Sequence, residues 1–238
     1  MLQNLCKYAY YYSCYICLST STGSFYWIFT PKIVPIAPPP ANVECKEHLI
    51  DIAFLVDGSD SILPEDFDVV REWILHVVDG FNPAERRDGL KIDIVQFSHV
   101  AELEIDELVT TGSDQIRDQV MNIDQMRSGT KTYSALRYLN SNVVPRLRNG
   151  SFRILITLTD GRASEDADQQ AIANAEFNFQ LRVGVGIGDK VKEEELADFS
   201  THEEVFTVED FAALDDIIAN IIDQACQGVH TANVAAGN

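Results

Sequence analysis

Two kinds of hydrophobic pattern alternate over most of this chain. Continuous apolar runs of strand length, bounded by polar turns, predict buried β-strands at 49–56, 91–97, 153–159 and 182–188. A fifth segment, 100–106, alternates apolar and polar residues. That alternation is typical of a strand at the edge of a sheet, with one face buried and one in water.

Segments of helical period lie between most of these strands. Phe67, Val70, Ile74 and Val77 recur at steps of three and four residues, and Pro64 suits the first turn of such a helix. The same spacing recurs in three further sets: Ile116, Val120 and Ile123; Leu136, Leu139, Val143 and Leu147; and Leu214, Ile217, Ile221 and Ala225. Because strands and helices alternate, we predict an α/β fold of doubly wound type. Its sheet is mostly parallel, with one antiparallel edge strand and helices on both faces.

The two ends of the chain differ in composition from its middle. Residues 8–31 carry no charge and are rich in aromatic side chains, which fits a signal peptide, a membrane anchor or a leader unrelated to the mature product. Prolines crowd 31–44 and predict an extended linker. We therefore expect a leader and linker over 1–44, one domain over 45–227, and a flexible tail over 228–238.

The net charge of the chain excludes some classes of binding partner. The chain has 37 acidic and 18 basic residues, a formal net charge of −19. Such a polyanion repels nucleic-acid phosphates and anionic lipid surfaces, so we predict no nucleic-acid partner. Binding of cations becomes more plausible for the same reason.

Two features indicate an oxidising, extracellular compartment. Cys45 and Cys226 bracket the acidic region with no cysteine between them, which suggests a disulfide bond joining the two ends of the domain. Asn149, Gly150 and Ser151 form an acceptor sequence for N-glycosylation, expected on a surface loop. We predict a secreted protein, with anchoring at the cell surface as the alternative.

Oxygen-bearing side chains follow the predicted strands at their carboxyl ends, where ligands bind in open α/β sheets. Asp57, Ser59 and Ser61 follow the predicted strand 49–56, and Asp160 follows the predicted strand 153–159. Thr130 lies in a loop that precedes a helix. A small hard cation takes about six oxygen ligands and keeps several waters, so these five side chains suffice for Mg²⁺ or Mn²⁺. Since an acidic domain repels an acidic ligand, the cation would be the attractive element for a partner's carboxylate.

The sequence from Asp51 to Ser61, DIAFLVDGSDS, resembles the opening strand and DxSxS motif of von Willebrand factor type A domains. Four later blocks, Leu90–Ser98, Ser128–Leu136, Leu158–Arg162 and Val183–Gly188, are similar to later blocks of that family and come in the same order. One departure is Ser128, which stands where the family often has a glycine. The resemblance spans about 45–227.

The resemblance implies that Asp57, Ser59, Ser61, Thr130 and Asp160 form a metal-ion-dependent adhesion site. Details such as the ending Glu204–Phe211 are similar to the extracellular-matrix branch, which includes matrilins and type VI collagen. The resemblance also implies that the chain is a non-enzymatic adhesion module, which binds a matrix protein such as collagen or a cell-surface receptor. Mg²⁺ is the expected ion, with Mn²⁺ and Ca²⁺ as alternatives.

An enzymatic alternative is a magnesium-dependent phosphohydrolase of the haloacid dehalogenase type. Asp57 would be its nucleophile. Those enzymes place a second aspartate two residues further on, whereas this chain has Ser59, so the general acid is missing. We therefore favour the adhesion module.

Overall fold

The computed structural model describes residues 13–18, 25–30, 48–201 and 205–236. Contacts divide the chain into two units, Met1–Ala41 and Asn42–Asn238. In the first unit, β1 (Ser13–Leu18) pairs antiparallel with β2 (Phe25–Thr30). This pair of strands was not predicted from the sequence. The remainder of the expected leader and linker lies outside the described residues.

The second unit is built on a mixed sheet, which has six strands in the described part of the chain. Their order across the sheet is β5-β4-β3-β6-β7-β8, and every neighbouring pair is parallel except β4 with β5. The predicted fold class, with one antiparallel edge strand, is confirmed. The strands are β3 (Ile50–Asp57), β4 (Leu90–Phe97), β5 (Ala101–Thr110), β6 (Phe152–Thr159), β7 (Leu181–Ile187) and β8 (Val205–Val208).

Helices cover both faces of this sheet. They are α1 (Pro64–Gly80), α2 (Arg117–Met121), α3 (Thr132–Asn142), α4 (Gln169–Asn178), α5 (Glu193–Ala197) and α6 (Ile218–Ala236). Apolar side chains of α1, α2 and α6 pack on one face, and those of α3 and α4 pack on the other. Among the described residues, no helix has the length and apolar composition needed to cross a membrane.

The central strands are in register at the edge where polar residues follow them. Every residue of β3 and β4 is buried, because helices cover both faces, and this explains their continuous apolar runs. Asp57 pairs with Phe97, and Val56 pairs with Leu158. The last residue of β3 therefore lies beside the end of β6. The loops that follow these strands meet at one edge, called the carboxyl edge below.

The final helix continues past the boundary expected at residue 227. Val229 is buried in the core, and a β-carbon on Gly228 would lie 2.7 Å from Cζ of Phe152, so the helix packs tightly against β6. The segment expected to be a flexible tail is thus helical as far as Ala236. Its run of small residues indicated fraying, whereas at Gly228 the lack of a side chain allows the close approach to Phe152.

Candidate metal site

The ends of β3 and β6 bring two aspartates to the carboxyl edge. Asp57 is the last residue of β3 and is fully buried, and Asp160 follows β6 and is 8% exposed. The hydroxyl of Ser61 donates a hydrogen bond of 2.6 Å to Oδ1 of Asp160. Residues distant in sequence therefore contact each other directly at this edge.

The turn after β3 is ordered by its own polar groups. The backbone N–H of Ser59 donates to Oδ1 of Asp57 at 2.8 Å, and the hydroxyl oxygens of Ser59 and Ser61 lie 2.9 Å apart. A β-carbon on Gly58 would lie 2.1 Å from Oε1 of Gln96, so the close approach of Gln96 requires glycine here. The turn thus presents a carboxylate and two hydroxyls in one hydrogen-bonded group.

A second loop places Thr130 beside the same group. The N–H of Asp60 donates to the carbonyl of Ser128 at 2.9 Å, and the N–H of Arg127 donates to the carbonyl of Gly58 at 2.8 Å. These bonds hold the loop against the turn after β3. A β-carbon on Gly161 would lie 4.0 Å from Oγ1 of Thr130, so this hydroxyl faces the turn that carries Asp160.

The structure therefore brings all five predicted ligand residues to one edge. Asp57, Ser59, Ser61 and Asp160 are linked by direct hydrogen bonds, and Thr130 stands in the adjoining loop. Two carboxylates and three hydroxyls are the hard oxygen ligands that Mg²⁺ and similar cations take. The described residues contain no group of three or more His, Cys, Asp or Glu that could hold a metal ion, so the hydroxyls are essential to this donor set.

Burial makes the charge of Asp57 costly. It raises the pKa of Asp57 to about 6, against the opposing effect of hydrogen bonds from Thr159 and Ser59, and the negative charge of Asp160 raises it further. None of the main causes of this shift among the described residues is a cationic side chain. A buried carboxylate next to a second carboxylate needs a counter-charge, and a bound cation would supply it. The electrostatics of the site fit a cation.

Three residues that position the site were missed by sequence reasoning. Thr159 donates from its hydroxyl to Oδ2 of Asp57 at 2.6 Å. Gln125 donates from Nε2 to the carbonyls of Ser59 and Ile62 at 3.1 and 2.9 Å, and Gln96 accepts from the N–H of Met126 at 2.8 Å. The place of Thr159 directly before Asp160 was a usable signal. The two glutamines act on backbone atoms, which leave no pattern in the sequence.

The other predicted sites lie away from this edge. Asn149 is exposed in the turn that precedes β6, at the amino end of the strands, where an attached glycan would not cover the carboxyl edge. Cys226 lies on α6 and packs against the core, while Cys45 lies outside the described residues. The glycan and the disulfide bond both remain predictions.

Comparisons with known proteins agree with this architecture. The family model described as von Willebrand factor type A domain matches residues 51–220. The collagen alpha-6(VI) chain of Homo sapiens is 30% identical over 190 residues, covering 78% of this chain and 8% of that protein. Matrilin-1 of Mus musculus is 30% identical over 181 residues, covering 74% of this chain and 36% of that protein. The chain thus spans a small part of these relatives.

A solved structure has the same fold. Proximal thread matrix protein 1 from the mussel byssus, in a form described as having a zinc-occupied MIDAS motif, aligns with a TM-score of 0.69. The alignment covers 76% of this chain and 48% of that one, at 22% sequence identity.

Proposed function

The chain belongs to the von Willebrand factor type A family, and we propose that it is an extracellular, non-enzymatic module that binds a protein partner through a divalent cation. Asp57, Ser59, Ser61, Thr130 and Asp160 would hold the cation. Mg²⁺ is the ion we favour, with Mn²⁺ and Ca²⁺ as alternatives, because all five side chains offer oxygen ligands.

One observation carries the proposal. A row of oxygen atoms runs from Asp57 through Ser59 and Ser61 to Asp160, with hydroxyl contacts of 2.9 and 2.6 Å. Its two ends are carboxylates, and burial raises the pKa of Asp57 to about 6. The arrangement concentrates negative charge among hydroxyls that can turn their lone pairs toward a cation.

The neutral hydroxyls explain why a partner's acid is a suitable ligand. When bound, the cation supplies positive charge that attracts a carboxylate from another protein. Ser59, Ser61 and Thr130 would hold it without adding negative charge, so Asp57 and Asp160 would supply all of the negative charge among the ligands. Thr159 and Gln125 keep the ligand residues in place through the bonds described above.

The class of partner is proposed from the relatives. Collagen alpha-6(VI) and matrilin-1 are extracellular-matrix proteins, and the mussel protein is described as a thread matrix protein with a zinc-occupied site. We infer that the partner is a matrix protein such as collagen, or a cell-surface receptor, and that the chain is secreted. The expected disulfide bond and the exposed Asn149 support that location.

Calorimetry on the full chain tests the cation site. We expect MgCl₂ and MnCl₂ to bind to the parent protein, and Asp160→Ala to prevent this binding. Asp166→Ala is the matched control, because it removes an exposed carboxylate from the same loop. Binding to collagen-coated surfaces with MgCl₂ or with chelator then tests adhesion. A folded parent protein that takes up neither cation would refute the proposed site.

A further inference from the structure

Eight of the fifteen lysine and arginine side chains in the described part of the domain form ion pairs with carboxylates. The paired residues are Arg71, Lys91, Arg117, Arg137, Arg146, Arg148, Arg182 and Lys192. This is the expected outcome in a domain with a large excess of acid. Basic side chains that lack an ion pair are therefore informative.

Four basic residues at the carboxyl edge have no ion pair with any described residue: Arg127, Lys131, Arg162 and Lys190. We call these four residues the basic collar. Arg127, Arg162 and Lys190 are exposed, and Lys131 is half-buried. Arg87, which is also exposed and without an ion pair among the described residues, lies at the opposite edge, before β4.

The collar flanks the candidate metal site on two sides. Arg127 and Lys131 belong to the loop that carries Thr130, and the N–H of Arg127 is bonded to the carbonyl of Gly58. Arg162 lies two residues after Asp160, and its Nε donates to the carbonyl of Lys190 at 3.3 Å. That bond draws Arg162 toward the loop after β7. The predicted ligand residues thus lie between two pairs of cationic side chains.

We propose that the ligand of this site is an acidic peptide segment, in which the metal-bound carboxylate has further carboxylates close to it in sequence. This inference rests on the proposed function and specifies its partner. The cation takes one acidic group, and the collar provides charge complementarity for its neighbours. Arg127 and Lys131 would contact acidic groups on one side of the metal, and Arg162 and Lys190 on the other.

The surrounding acidic residues limit the ligand to a short segment. Beyond Ser164, a groove of about 560 Å³ is lined by carboxylates that include Glu165, Asp166 and Glu194. They would repel an acidic chain that extended over α5. The net charge of −19 also disfavours a long polyanion such as a sulfated glycan, so a short acidic peptide fits better.

Two synthetic peptides test the inference on the full chain with saturating MgCl₂. One carries a single aspartate among glycines, and the other carries an aspartate flanked by a glutamate on each side. We expect the triacidic peptide to bind about threefold to tenfold more tightly, as two exposed ion pairs allow. The advantage should shrink at high salt, and it should vanish in the double variant Arg127→Gln/Arg162→Gln. Arg87→Gln is the matched control and should retain it.

The outcomes separate the inference from the proposed function. If both peptides bind equally well and both need MgCl₂, the inference about the basic collar is wrong, whereas the proposed cation site is supported. Binding of neither peptide by protein that takes up Mg²⁺ overturns both proposals. A heparin fragment that binds more tightly than the triacidic peptide, and loses binding in the double variant, would show that the collar recognises glycans instead.

Discussion

The hydroxyl of Thr159 donates a hydrogen bond of 2.6 Å to Oδ2 of Asp57, so a residue with no predicted role orients the central carboxylate of the site. This bond favours the ionised form of Asp57 and lowers its pKa against the effect of burial. A neutral hydroxyl thereby helps a buried carboxylate to stay charged for a cation.

We predict that Thr159→Val weakens Mg²⁺ binding about tenfold, because a hydrogen bond to a charged group contributes about 1.5–3 kcal/mol. Thr157→Val is a close control, since Thr157 lies on the same strand and its buried hydroxyl has no hydrogen-bond partner in the described part of the chain. That substitution should leave Mg²⁺ affinity unchanged. Calorimetry measures both affinities, and equal losses in the two variants would contradict a specific role for Thr159.

The metal-free protein should show the cost of the buried Asp57 charge. A folded-state pKa of about 6, above the ordinary 3.8, disfavours the folded state at pH values above about 6, and this penalty disappears as pH falls toward 4. We predict that Asp57→Asn raises the free energy of unfolding at pH 7, in chelator, by about 2–3 kcal/mol. Its effect should vanish near pH 4.

Chemical denaturation of both proteins at several pH values checks this prediction. The difference between parent and variant is the relevant quantity, because repulsion within the acidic domain also relaxes in acid and affects both alike. A variant that is less stable than the parent in chelator at pH 7 would refute the prediction. With saturating Mg²⁺ the order should reverse, since only the parent gains stability from binding.

Gly58 should tolerate no side chain. A β-carbon there would lie 2.1 Å from Oε1 of Gln96, which is buried and bonded to the N–H of Met126, and therefore cannot move away freely. We predict that Gly58→Ala lowers the free energy of unfolding by about 1–3 kcal/mol through overpacking and also weakens Mg²⁺ binding.

Gly129→Ala serves as the comparison, because its β-carbon would meet only Oγ of Ser164, at 4.0 Å. Thermal unfolding and Mg²⁺ titration of both variants make the test. If Gly129→Ala lowers stability or Mg²⁺ affinity more than Gly58→Ala does, crowding by Gln96 is not the reason that glycine is required at position 58.

The expected Cys45–Cys226 bond should stabilise the domain by joining the segment before β3 to α6. We predict that Cys45→Ser/Cys226→Ser lowers the free energy of unfolding by about 2–5 kcal/mol. Peptide mapping without reductant should detect the linked pair in the parent. Reductant should then destabilise the parent to the level of the variant, and a parent protein insensitive to reductant would count against the bond.

The central strands were predictable because burial on both faces leaves a continuous apolar run. The strands at the edges of the sheet were harder to predict. β5 runs to Thr110, well past the predicted end at 106, and Glu107 has a φ of 51° where the pairing with β4 is irregular. The N–H of Glu107 donates to Oδ1 of Asp93, and this long-range contact has no local signal. β8 has only four residues, none fully buried, and it was not predicted.

Only the ligand residues of the candidate site could be predicted from the sequence. Asp57 ends β3 and Asp160 directly follows β6, and these positions are visible in the pattern of the sequence. The roles of Gln96 and Gln125 were not visible, because both side chains bond to backbone atoms that only the folded chain brings near. α4 was also missed, since alanines such as Ala171 and Ala175 form much of its buried face.

Arg127 and Lys131 make no side-chain hydrogen bond or ion pair with the described residues, whereas Asp57 and Asp160 are fixed at strand ends. Substituting these two cationic side chains should therefore change the free energy of unfolding little. During evolution, such side chains can then change partner preference while the scaffold and the proposed cation site stay unchanged.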